Sequence, residues 1–319
     1  MELSRKITNV DYDQKIKLLK AKVGKKGYWT RSVYNLFVYV LLFDLGFVFL
    51  FPFLHMIVTS LKSPDDLIDT TVRWIPKMLF WRNYVTAADA LNYFTYFKNS
   101  VLVTVLCIVG HILACSFIAY GFARFNFKGR DLLFMFVIIT LLVPPQVIIM
   151  PLYIQYSKFR WMNTYLPLIM PTFFGFGLRG GLFIFIFRQF FLGLPKELEN
   201  AALIDGCGFM RTYWRIILPI SKSAILVSSV LSMIWHWNDS FEPVIYLSSP
   251  KKWLLPIVLP QMYETLKSMQ IGDLMLEPIF FNEGVVMAGT FLVLFPLLVV
   301  YLILQHQFVE GIERTGLVE

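Results

Sequence analysis

The sequence predicts an all-α polytopic membrane protein, a bundle of six transmembrane helices, and three observations carry that prediction. Of its 319 residues 57% are hydrophobic and only 16% are charged, with a mean hydropathy of +0.63. A soluble domain is about 45–50% apolar and about 25% charged, so this chain has more apolar surface than one water-soluble core can hide. Six apolar stretches reach the roughly 20 residues that a spanning helix needs. No alternating ten-residue strand pattern accompanies them, and open sheets would leave backbone groups unpaired in lipid. A cytosolic globular enzyme and a disordered or collagen-like chain are excluded on the same grounds.

Residues 1–33 come first, a basic segment in which Ile16, Leu18, Leu19 and Val23 stand among lysines. That pattern fits a short amphipathic helix on anionic headgroups and equally a solvated tail. The six-helix domain then occupies 34–306, with spans at about 34–60, 100–123, 132–155, 165–190, 223–247 and 285–306. The first run is too long, and too far from the start, for a cleaved leader, so it is expected to stay as a span. Loops 61–99 and 248–284 hold several aromatics each (Trp74, Trp81, Tyr84, Tyr93, Phe94; Trp253, Tyr263, Phe280, Phe281) but are too short for a catalytic domain. Residues 191–222 join the fourth and fifth spans, and 307–319 form a tail.

Lys and Arg set the orientation. The N-terminal segment, the connections after the second and fourth spans and the tail carry eighteen of them; the opposite connections carry ten. Both termini are therefore expected in the cytoplasm of a bacterial cell, with loops 61–99 and 248–284 outside. The formal charge of +8 has the same origin, so nucleic acid is not an expected partner.

Enzymatic motifs fail on context. Gly175-Phe-Gly177-Leu-Arg-Gly180 matches GxGxxG but lies in an apolar helical stretch with no strand before it. Small residues there serve close helix packing. There is no GxxxxGK[ST], so any ATP and Mg would be bound by partner subunits, and no cofactor is expected in this chain. Cys107, Cys115 and Cys207 form no CxxC, and His55, His111, His236 and His306 fall on four spans without metal spacing.

One connection is built differently. From Leu194 to Pro219, Pro195 suits the first position of a helix and Gly206 the left-handed residue just past its end. Glu197 and Glu199 favour the positive end of the helix dipole, and Ala201 and Ala202 leave one face without bulk. A second helix from near Phe209 through Trp214 and Ile216 to Pro219 would pack back on the bundle. A short, glycine-terminated helix with a flat face suits docking into a groove on a partner.

These residues resemble the cytoplasmic motif of the membrane-spanning subunits of binding-protein-dependent ABC importers: Glu-Ala-Ala, three residues, Gly, nine residues, Ile, one residue, Leu-Pro. Here it stands as Asn200-Ala201-Ala202, Gly206, Ile216, Leu218 and Pro219, with the spacing intact. The departure is Asn200 in place of Glu. Glu199 precedes it by one position, about 100° round the helix, which puts in question any salt bridge the family makes from that position. Ser60-Leu-Lys62, Pro144-Pro145-Gln146 with Pro151-Leu-Tyr153, Asn163-Thr-Tyr165, Trp237-Asn238-Asp239 and the ending Phe308 to Gly316 resemble the second, maltose-type carbohydrate permease. The resemblance implies a type I importer fold and a role for Glu197, Glu199, Asn200, Ala201, Ala202, Asp205, Gly206, Ile216, Leu218 and Pro219 in coupling to an ATPase. It also implies a second permease subunit, two ATPase subunits and an extracytoplasmic sugar-binding protein as partners, with a tail reaching toward the ATPase dimer. A permease for a non-sugar solute, and a secondary transporter, are the alternatives; the latter would usually show an internal repeat and would not need the Ala-Ala-Gly loop.

For a sugar, a path wants aromatics interleaved with polar groups. Trp235, Asn238 and Asp239 fall on one helical face of the fifth span, whereas Trp237 points elsewhere. Arg179 lies inside the fourth span, where an unpaired charge costs at least about 2.5–3.5 kcal/mol, so it should face a wet cavity or pair with Asp239 or Asp44. Free in a cavity, it would favour an acidic sugar chain; paired with Asp239, both residues would be structural.

Overall fold

The computed structural model describes the backbone of residues 2–177, 179–272 and 282–316, with side chains for 31–177, 179–266 and 282–307. Its elements run α1 Glu2–Ser60, α2 Pro64–Ile68, α3 Arg82–Ala90, α4 Tyr93–Arg124, α5 Arg130–Thr140, α6 Pro145–Lys158, α7 Leu166–Ile169 and α8 Gly180–Gly193. They continue as α9 Glu197–Ile204, α10 Phe209–Thr212, α11 Leu218–Ile220, α12 Lys222–Asn238, α13 Phe241–Tyr246, α14 Leu255–Gly272 and α15 Glu283–Gly316. No strand occurs among the described residues.

Among the described residues three helical stretches are long and apolar enough to cross a bilayer: Arg31–Ser60, Tyr93–Arg124 and Glu283–Gln307. Two further apolar pairs are bent, α5 with α6 by 99° and Phe209–Ile220 with α12 by 75°. The third expected span, 132–155, is thus two helices broken at Pro144-Pro145, because proline supplies no N–H and pushes the residue before it out of helix. The fourth, 165–190, is corrected further. It consists of α7, a 3₁₀ turn Met170–Phe174 and α8, interrupted where Gly175, Gly177 and Arg179 all take positive φ. At 14 residues α8 is about 21 Å long, short of the roughly 30 Å hydrocarbon core.

The chain divides into two compact units, Met1–Val58 and Thr59–Glu319. The first is helical throughout its described length, and its ring contacts, Phe47 with Phe51 and Phe51 with His55, run along one helix. The amphipathic expectation for residues 1–33 rests mostly on side chains outside the described residues, as do those for Phe280, Phe281 and the tail.

The second unit is organised around α4. Its 32 residues, about 48 Å, exceed the hydrocarbon thickness and carry both ends beyond it. It packs against α8, α12 and the 3₁₀ turn. At Gly110 a Cβ would run into the Thr172 side chain, so glycine permits this approach. Phe183, Phe187 and Phe191 of α8 are fully buried with Cys115, Ala119 and Tyr213. Apolar burial drives little association in lipid, so the interlocking of large rings with small residues must hold these helices.

The segment between α1 and α4 is tied down by polar groups. Asn83 Nδ2 donates to Ser60 O at 2.9 Å and to Lys62 O at 2.8 Å, and Lys62 Nζ donates to Val72 O and Arg73 O, both at 2.9 Å. Ser63 and Asp66 form a capping box at the start of α2, and Asp66 also accepts from Lys77 N. Asn163, at positive φ, accepts from Ser249 N and is gripped by Lys252 Nζ at its carbonyl, fixing the turn after α6 to the one after α13.

Candidate functional site

Helix α9 is the expected docking helix, starting two residues after Pro195. Glu197 and Glu199 occupy its first turn, where unpaired backbone N–H groups favour negative charge. It ends in a Schellman arrangement: Cys207 N donates to Ala202 O at 2.8 Å and Gly206 N to Leu203 O at 3.0 Å. Gly206 has φ +76°, and nothing lies within 4 Å of where its Cβ would be. Glycine is therefore required there by backbone conformation, not by space.

The alanines separate. Ala202 is buried, while Ala201 lies on the exposed side with Glu197, Asn200, Leu203 and Ile204, the last 86% exposed. One alanine lets α9 rest on the bundle and the other leaves its outer surface flat. Beside it Met210 and Trp214 are also exposed. The second helix is not regular: α10 passes into a π-helical turn, Tyr213–Ile217, before α11. That wider turn shifts the phase. Tyr213 and Ile217 face the core, Ile216 and Leu218 are half-buried, and Trp214, expected to pack inward, and Pro219 face out. The Tyr213 hydroxyl lies 2.6 Å from Ser116 Oγ of α4.

Glu199, not Asn200, makes the ion pair from this helix. Its Oε1 is 2.9 Å from Arg124 Nε at the last residue of α4, with side-chain exposures of 17% and 4%. The N–H direction is poorly aligned, so charge attraction rather than a directed hydrogen bond holds the pair. Arg124 Nη2 also donates to Leu194 O, at the end of α8, at 2.9 Å. Burial pushes the Glu199 carboxyl above its ordinary range, and the Arg124 charge opposes that shift. Sequence reasoning missed Arg124 as a site residue. The signal was available: it is the first cation after an apolar span, on the same side as the acidic first turn of α9. Asp205 caps the end of α9 and is exposed.

The four path residues are partly brought together. Arg179, exposed and at φ +62° just before α8, stacks its guanidinium on Trp235 at 4.7 Å. Trp235 in turn packs on Phe183. Among the described residues no carboxylate forms an ion pair with Arg179. Asp239 does not share the helical face of Trp235, because α12 ends at Asn238. Its backbone is extended, and Oδ1 accepts from Phe241 N at 3.0 Å, starting α13. Asn238 is exposed, its Nδ2 donating to Ile234 O. Trp237 is 5% exposed and donates to Val293 O at 3.0 Å.

A further polar group in the core is a stacked histidine pair. His111 and His236 have ring centroids 5.3 Å apart, and His111 Nδ1 is 3.1 Å from Ser232 Oγ. Among the described residues no cluster of three or more His, Cys, Asp or Glu could hold a metal ion.

Comparison with known proteins bears on what such a site serves. A family model described as "Binding-protein-dependent transport system inner membrane component" matches residues 111–313. The arabinooligosaccharides transport system permease protein AraQ of Halalkalibacterium halodurans is 29% identical over 85% of this chain and 92% of its own length. A probable ABC transporter permease protein, YurM, of Bacillus subtilis is 30% identical over 86% of each chain. The diacetylchitobiose uptake system permease protein NgcG of Streptomyces coelicolor is 28% identical over 82% of each. Among solved structures, a bacterial ABC transporter involved in importing the acidic polysaccharide alginate contains a chain that superposes with a TM-score of 0.74 at 20% identity, covering 86% of this chain and 96% of that one. At that identity the likeness establishes the fold.

Proposed function

The chain belongs to the binding-protein-dependent transport system inner membrane components, and from that premise we propose that it is one membrane-spanning subunit of an ABC importer for an oligosaccharide. The relatives named for arabinooligosaccharide and diacetylchitobiose transport support the substrate class. Membership of this family sets aside the secondary-transporter reading. The single observation that carries the role is α9: a glycine-terminated helix on an exposed loop, flat at Ala201 and apolar at Leu203 and Ile204.

In this reading α9 docks on an ATPase subunit that holds ATP and Mg. A second permease completes the pore, and an extracytoplasmic sugar-binding protein delivers the solute. ATP-driven closure of the ATPases then alternates access across the membrane, with both termini of this chain in the cytoplasm. Arg179, Trp235, Asn238 and Asp239 remain the path candidates, with their tasks redistributed. The guanidinium covers a face of Trp235, so Trp235 is a platform for Arg179, and the N–H edges of Arg179 are left to meet polar or anionic groups of the solute.

The test is co-purification of the tagged chain in detergent with its neighbouring gene products. ATPase subunits bound to the wild type and released by a charged residue at Ile204 support the reading. Intact binding in that variant, or no ATPase in the wild type, would remove α9 from the docking role.

A further inference from the structure

We propose that Arg124 is a positioning residue that clamps the docking helix to the bundle, making α9 and the ends of α4 and α8 one mechanical body. The inference rests on the docking role of α9 proposed above and adds how movement would leave that helix.

Three observations converge on Arg124. Its side chain is almost wholly buried at the end of the longest helix of the second unit apart from α15, and that helix packs on α8, α12 and the 3₁₀ turn. One guanidinium reaches two chain segments at once, Glu199 of α9 and the Leu194 carbonyl just past α8, each at 2.9 Å. Close packing does not duplicate the link, because the pair borders a cavity of about 220 Å³ whose wall also includes Tyr120, Lys196, Asn200 and Phe209. Beside such a void, Ala202 supplies the apolar contact of α9 and the ion pair supplies the polar one.

The electrostatics argue that this pair is kept for position rather than stability. Desolvation of Glu199 outweighs the attraction of Arg124, since its carboxyl is raised above the ordinary range. A largely buried ion pair of this kind fixes geometry and returns little net stabilisation over an apolar pair of the same shape. Planar, fork-shaped arginine can hold a carboxylate and a carbonyl together; lysine presents a single point charge and would hold the carboxylate alone.

The experiment uses the complete importer, both permeases with ATPases and binding protein, reconstituted in vesicles. The solute transported per ATP hydrolysed is measured for wild type, Glu199→Gln, Arg124→Gln and Arg124→Lys. The expected result is a fall of about tenfold in that ratio for the two Gln variants and a partial return for Lys. Glutamine keeps an acceptor oxygen facing Arg124, so retention of the ATPase should stay at the wild-type level for Glu199→Gln and its thermal midpoint should fall by less than that of Arg124→Gln. An unchanged ratio overturns the clamp, and so does a loss that follows the loss of thermal midpoint, which is what a merely structural pair would give. As a second readout, spin labels at Leu198→Cys, exposed on α9, and Phe127→Cys, with Cys207→Ser and the buried Cys107 and Cys115 retained, report the separation of α9 from the end of α4. Removing the Glu199 charge should broaden a narrow distance distribution; an equally narrow one counts against the proposal. Failure of the wild type to retain any ATPase is a different outcome, one that refutes the docking role itself.

Discussion

The segment 61–92 and the segment 194–221 are both polar connections, yet they are secured in opposite ways. In 61–92 the bonds are many and directed at backbone: Asn83 holds two carbonyls, Lys62 two more, and Ser63 and Asp66 satisfy each other's N–H groups. In 194–221 the polar links to α4 are few, Arg124 with Glu199 and Leu194 O and Tyr213 with Ser116, set beside ring contacts of Tyr213 and Phe209 and an open cavity. Redundant bonding gives a segment that keeps one shape. Concentrated bonding ties α9 to the ends of α4 and α8 through one guanidinium, so that force received by the helix is passed on at a single point.

The largest test of that difference is Asn83→Ala. It orphans two buried carbonyls, so unfolding of the purified complex should be easier by about 2 kcal/mol, read as a lower thermal midpoint. No change would mean that segment 61–92 is no more tightly held than 194–221. Next, Gly206→Val places a β-branched residue at positive φ, at a cost of about 1–2 kcal/mol. The strain stays local to the end of α9, so membrane insertion should persist while transport uncouples from ATP hydrolysis; normal transport would count against the docking helix.

Arg179→Gln and Asp239→Asn sharpen the contrast between paired and unpaired charge. The two residues have separate partners, so their effects on uptake should simply combine in the double variant. Recovery in the double would restore the paired reading.

Acid gives a smaller effect with opposite signs in the two segments. A carboxyl with a raised folded value, like Glu199, favours folding while protonated and loses that contribution as pH rises through the raised value. Between pH 7 and 5 stability at this site should not fall, although protonation removes the charge that faces Arg124 and Lys196. Asp69 is held well below the carboxylate range, first by its hydrogen bond from Lys77 and then by Thr71. Its contribution is present above its ordinary value and lost as pH falls through the lowered one. Both groups of that pair are exposed, so Lys77→Ala should leave the thermal midpoint unchanged within error, measured at low and high salt.

Most of the architecture was legible because hydropathy sets spans directly: 34–60 and 285–306 fall close to the helical stretches described. Breaks were less legible. Pro144-Pro145 marked one plainly, but the interruption at Gly175–Arg179 looked like packing glycines, since an apolar run does not reveal positive φ at alternate positions. In the loop, Gly206 was readable because the end of a helix has a residue-specific backbone demand. Arg124 was not, because its partner lies 75 residues on and a cation after a span already had an explanation in topology. Asp239 was misplaced for a similar reason: helical periodicity was carried one residue past the end of α12.

The bend between α5 and α6 has a consequence for how the chain is made. The insertion machinery partitions nascent segments by their summed hydrophobicity over about 20 residues, and to that reading 132–155 is a single segment. The finished molecule holds it as two helices at 99°. If the segment enters the bilayer as one piece, the break at Pro144-Pro145 must form afterwards, once neighbouring helices are present to receive the backbone groups it frees. Its biosynthesis would then have an obligatory order, with insertion preceding folding at this hinge, and α8 and α13, which pack on α5 and α6, made before the bend can settle.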